Sequence, residues 1–67
     1  MLNDNVFKGK WKQVRGWAKI RWGKLSDDDL DKVDGSLDKL SGLLQEKYGY
    51  TQDQVKAEWE KRKNDGL

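Results

Sequence analysis

Cysteine, histidine and proline are all absent from this sequence of 67 residues. Without cysteine, neither a disulfide nor a thiolate zinc site can brace the fold. Without histidine, the commonest metal ligand and the usual general base are missing. Without proline, no residue forces a helix to break. Long apolar runs are lacking too: none approaches the roughly 20 residues that span a bilayer. The opening Met1-Leu2-Asn3-Asp4-Asn5 has no basic stretch leading into an apolar one. No secretory signal is therefore read there, and a cytoplasmic location is expected. Strand-like alternation is also missing, which leaves helix as the expectation throughout.

Catalytic equipment is equally sparse. Gly9, Gly16 and Gly23 recur every seven residues, which is not a nucleotide-binding fingerprint. No paired carboxylates in an enclosing fold are apparent. A domain of three short helices has little room for the usual ligand pocket of about 300–1,000 Å³. Neither a reaction, a cofactor, a metal nor a small-molecule substrate is expected.

What is present is mostly polar. Apolar residues make up 34% and charged residues 39%, which places the chain near the border with disorder. Four tryptophans, two tyrosines and one phenylalanine supply much of the buriable surface, at roughly 150–250 Å² per aromatic side chain. A core so small, without staples, is expected to be worth about 3–5 kcal/mol. One domain over 1–67 is expected, with loose ends at about 1–5 and 64–67.

Apolar spacing predicts an all-α array of three helices, or four if Gly35 splits the second. The first runs from about Asn5 to Trp22. Phe7, Trp11, Val14, Ala18 and Trp22 fall within about 80° of arc on it, a narrow core-facing stripe. Gly23 is expected to end it in a left-handed turn. Gly9 and Gly16 weaken it, by up to about 1 kcal/mol each. They imply either close approach of another backbone or loose helicity. Ser26 with Asp29 forms the start signal of the second segment, a variant of the capping box. Leu30, Val33, Leu37, Leu40, Leu44 and Tyr48 then form a heptad-like seam that Gly49 ends, and Gly42 is a second weak point. Thr51 with Gln54 opens the last helix, where Val55, Trp59 and Arg62 share a face.

Charge is strongly segregated. Residues 1–25 carry seven cations against Asp4, a net of +6. Residues 26–46 carry seven anions against Lys32 and Lys39, a net of −5. Residues 47–67 carry five cations against four anions, which completes the overall +2. A basic arm of this kind can seek an outside polyanion or fold back on its own acidic block.

The ordered motifs resemble a known family. Lys10-Trp11-Lys12-Gln13, Gly16, Trp22-Gly23-Lys24-Leu25, Asp27-Asp28-Asp29-Leu30, Gly35, Leu40, Gly42 and Gln45-Glu46-Lys47-Tyr48-Gly49-Tyr50 are similar to the CsbD-like family of small bacterial stress proteins. The resemblance covers about residues 8–60. It implies a small helical fold without strands and expression under general stress, and it brings no reaction, ligand or site residue. It also implies packing roles for Trp11, Trp22, Leu25, Leu30, Leu40 and Tyr48, and backbone punctuation by Gly23, Gly35 and Gly49. The family pattern is usually polar where this chain has Trp17, Ile20, Leu37 and Leu43.

Three surfaces are weighed on this basis. Lys8, Lys10, Lys12, Arg15, Lys19, Arg21 and Lys24 could face a nucleic acid or an anionic membrane, where cations meet phosphates and indoles stack or insert. The preferred reading is that these cations pair mainly with the chain's own acidic block. Asp27, Asp29 and Asp31 alternate like calcium ligands, but Lys32 and Asp38 stand where an EF-hand loop needs glycine and glutamate. Helix capping explains the run better. Trp17 and Ile20 lie about 240° and 180° from Trp11, and Leu43 lies about 220° from Leu30. These three are candidates for self-association into a weak homo-oligomer, against the alternative of an enlarged core.

Overall fold

The computed structural model describes residues 4–66. Among them are five helices and no strand: α1 (Asn5–Gly9), α2 (Trp11–Arg21), α3 (Asp27–Val33), α4 (Leu37–Tyr48) and α5 (Gln52–Asn64). The all-α expectation holds. α1 packs on α2, α3 on both α2 and α4, and α4 on α5.

The first helix is not continuous as expected. It breaks at Lys10, which sits at φ −112°, ψ 23° between α1 and α2. Gly9 makes the break easy, because glycine gives a helix the least support of any residue but proline. The break lets Phe7 turn fully inward, edge-on to Trp59 with ring centroids 5.1 Å apart. Close packing does not require either early glycine: a Cβ at Gly9 or Gly16 would meet nothing within 4 Å.

Gly23 does not form the expected left-handed stop. The chain leaves α2 through Trp22 at φ −124°, ψ 86°, and no positive φ falls on Gly23. Trp22 turns out of the helix to bury its indole, where its Nε1–H donates to the Tyr50 hydroxyl at 3.1 Å. The Lys24 amide donates to the Tyr48 hydroxyl at 2.9 Å. Two tyrosines from the end of α4 thus hold the α2–α3 connection.

Gly35 does split the second segment. Asp34 and Gly35 both adopt left-handed backbone, at φ 45° and 80°. A Cβ on Gly35 would lie 3.5 Å from Lys8 Cα and 3.7 Å from Trp11 Cβ, so this corner rests on the α1–α2 joint. Gly42 stays within α4, and Gly49 closes it at φ 71°. Ser26 and Thr51 form complete capping boxes with Asp29 and Gln54. Ser36 caps α4 through the Lys39 amide.

Among the described residues, twelve buried apolar side chains form one core, drawn from every helix and from Trp22 and Leu25 beside them. The stripe Phe7, Val14, Ala18 and Trp22 is buried, with Trp11 half-buried against it. The seam Leu30, Val33, Leu37, Leu40 and Leu44 is buried as spaced, and Tyr48 packs on its edge. Leu37 enlarges the core. Of the residues expected to be loose, 1–3 and 67 lie outside the described residues. Asp4 and Asn5 cap and begin α1, and Asn64 ends α5.

Candidate polyanion-facing surface

The seven cations of the basic run fall into three groups. Arg15 donates to Asp31 and, at 3.2 Å, to the Asp27 carbonyl. Lys19 reaches Asp27 at 2.7 Å, and Arg21 reaches Glu58 of α5 at 2.9 Å. These three lie on α2, at steps that turn them toward α3 on one flank and α5 on the other. Lys24 instead lies over the Tyr48 ring, 5.2 Å from its centroid. Lys8, Lys10 and Lys12 make no ion pair among the described residues and are exposed.

These three lysines surround the α1–α2 joint. With Gly9, Trp11 and Gln13 they line an open hollow of about 490 Å³ that has no acidic residue in its wall. The half-buried Trp11 indole forms its apolar side, set against Phe7 with centroids 5.3 Å apart. α2 begins here without a side-chain cap. Lys8 also borders a second hollow, which it shares with Asp4 and Asp34.

Asp27, Asp29 and Asp31 of the acidic block are paired inside the molecule, whereas Asp28, Asp34, Asp38 and Glu46 make no ion pair among the described residues. The Ser26 amide donates to Asp29, which accounts first for the lowered Asp29 pKa, and Lys47 adds to it from 3.4 Å. Asp27 is lowered mainly by its bond from Lys19 and by the lysine's charge. Arg21 is raised by Glu58. Lys19, Asp27 and Arg21 are substantially exposed, so their pairing orients helices more than it stabilises them, whereas Asp29 is more enclosed.

One charged group escaped the sequence reading. Asp4 Oδ1 accepts from the Val6 and Phe7 amides at 2.8 and 3.1 Å. Asp4 Oδ2 accepts from Trp59 Nε1 at 2.8 Å and from Lys63 Nζ at 3.0 Å. Burial by itself would raise this carboxyl, but the four bonds outweigh it and hold the pKa at about 2. Aspartate ahead of a helix start was the legible half of this signal. Its partners lie 55 and 59 residues away, which no local pattern reveals.

The three apolar candidates fall in different surroundings. Trp17 is half-buried, edge-on to Trp22 at 5.1 Å, with Trp59 at 6.5 Å and the Arg62 guanidinium over its ring at 5.9 Å. It lies only about 60° from Val14 on α2, and α5 covers that flank. Leu43 is half-buried, in a hollow of about 230 Å³ between α3 and α4. Ile20 is 88% exposed.

The fold and surface define a class: a small helical protein, without strands among the described residues, whose helices α2 to α5 are linked by ion pairs. The chain belongs to the CsbD-like family, whose model matches residues 5–57. UPF0337 protein YjbJ of Salmonella typhimurium is 46% identical over 96% of each chain. A UPF0337 protein of Rhodopseudomonas palustris is 54% identical over 85% of this chain and 86% of its own. YjbJ of Escherichia coli is 47% identical over 91% of this chain and 93% of its own. None of these names states an activity. No solved structure matches. Among the described residues, no helix is long and apolar enough to cross a membrane.

Proposed function

We propose that this is a non-enzymatic stress-associated protein that works by contact, and that its contact surface for phosphate polyanions is the α1–α2 joint. One observation carries this reading. The fold engages Arg15, Lys19 and Arg21 internally and leaves Lys8, Lys10 and Lys12 together around Trp11. Three phosphate contacts give a binding constant that falls with salt at a log–log slope of about −2 on single strands and about −3 on duplex. So few phosphate contacts suit a protective coat rather than a specific reader.

The test is tryptophan fluorescence and gel mobility against DNA and against anionic vesicles, at low and raised salt. The triple variant Lys8→Gln, Lys10→Gln, Lys12→Gln is compared with Lys32→Gln, Lys56→Gln. Binding lost in the triple variant and kept in the double variant supports the surface. No change with either polyanion dismisses it. A blue shift with vesicles alone assigns the contact to membranes, and a response to DNA alone assigns it to nucleic acid.

A second reading, weak self-association, rests on the exposure of Ile20. Sedimentation of the wild type against Ile20→Lys and Trp17→Lys tests it. A monomer in all three rejects it.

A further inference from the structure

We propose that α1 is a hinged arm: the Asp4 carboxylate latches it to Trp59 and Lys63, and it opens at Gly9–Lys10 while α2–α5 stay folded. Five residues cannot hold a helix in water alone, because nucleation outweighs so few hydrogen bonds. α1 therefore depends on its attachments. One is Phe7, its buried side chain. Lys8 also lies against the Gly35 corner. The third attachment is Asp4, whose two oxygens do separate jobs: Oδ1 caps α1 and Oδ2 ties it to α5.

The joint is built to bend. α2 starts its own ladder on the Lys10 carbonyl, which accepts from the Gln13 and Val14 amides at 3.0 Å each. Lys10 lies outside helical geometry, and nothing crowds Gly9, so an alanine would fit there. The remaining core residues, Leu25, Leu30, Leu40, Leu44 and Val55 among them, belong to elements beyond the joint.

The latch stands in a charged setting that a ligand can alter. Lys63 faces Asp4 from α5 and also meets Glu60 at 3.3 Å. Lys8 of α1 and Asp34 of the α3–α4 corner line the same hollow as Asp4. A polyanion seated by Lys8 that also draws on Lys63 competes with Asp4 for Lys63, so binding and opening are coupled. That coupling rests on the polyanion reading; the opening itself does not.

Native-state hydrogen exchange of the full chain in rising urea, without any ligand, tests the arm. In the wild type, the Phe7 and Lys8 amides should exchange at least about 10-fold faster than those of Leu40 and Leu44, with a shallow urea dependence. Asp4→Asn keeps a capping side chain, and Lys63→Gln removes the distant partner. Each should speed Phe7 and Lys8 exchange by about 10-fold or more, a factor of the size that the Asp4 pKa implies. Gly9→Ala should slow it about 3- to 5-fold, from the helix preference of alanine. One common urea isotherm for α1 and α4 amides overturns the arm. Exchange unchanged in Asp4→Asn and Lys63→Gln overturns the latch, and exchange unchanged in Gly9→Ala overturns the hinge. Polyanion titrations that fail while exchange behaves as expected remove the coupling alone.

Discussion

Acidification should strip a defined share of stability from this fold, and Asp4 sets its size. The Asp4 carboxyl is held at about 2, against an ordinary value of 3.8. Its side chain is only 16% exposed, so screening takes little from the interaction. A difference of this size, at about 1.4 kcal/mol per unit, corresponds to about 2 kcal/mol. The folded pKa is depressed, so this contribution is fully present above about pH 4. It is lost as the pH falls toward about 2, where the folded protein also takes up the proton. Against the roughly 3–5 kcal/mol expected of so small a core, that is about half. Urea unfolding followed by tryptophan fluorescence at pH 6, 4, 3 and 2 measures it, for the wild type and Asp4→Asn. Asparagine preserves the cap and cannot carry the charge. The two proteins should differ by about 2 kcal/mol at pH 6 and converge near pH 2. Asp27 and Asp29 titrate in both proteins and cancel in the difference. A gap that stays constant with pH, or one below about 0.5 kcal/mol at pH 6, would refute the role given to this carboxylate.

Three further outcomes follow from the backbone and the tyrosine corner. Gly16→Ala should raise stability by about 0.5–1 kcal/mol, since the position is helical and open, and thermal unfolding by circular dichroism will read it. Gly35→Ala should lower stability by roughly 1–2 kcal/mol, because its φ of 80° disfavours any Cβ; a neutral result in urea would show that the corner relaxes. Tyr50→Phe leaves the part-buried Trp22 Nε1–H without its acceptor and should cost about 1 kcal/mol. A shifted Trp22 emission in folded Tyr50→Phe would accompany that loss.

Much of the helical plan was legible, and the legible parts share a cause. Ser26 with Asp29, Thr51 with Gln54, and Gly49 act over three or four residues, so their patterns lie within a few letters of one another. The seam from Leu30 to Leu44 is legible for the same reason, because a helix repeats its buried face every turn. The break at Lys10 was not legible. Gly9 signals weakness there, but the apolar spacing runs through it unbroken, and only Trp59 gives Phe7 a reason to turn inward. Gly23 misled because glycine after a helix usually marks a left-handed stop, whereas here Tyr48 and Tyr50 hold the exit by side-chain bonds. The candidate surface was half legible. All seven cations stand in one run, yet which of them remain without a carboxylate depends on where α3 and α5 lie.

By itself, the order of residues determined an all-helical chain, the caps that start two of its helices, most of its core and its division into basic and acidic blocks. Each of those is a local or periodic property, decided within one or two turns of chain. Tertiary structure alone decided the sorting of Arg15, Lys19 and Arg21 from Lys8, Lys10 and Lys12. It alone brought Asp4 onto Trp59 and Lys63, and Trp22 onto Tyr50. Those contacts span 28 to 59 residues of sequence. Packing of the apolar seams is what carries these distant polar groups to within bonding distance.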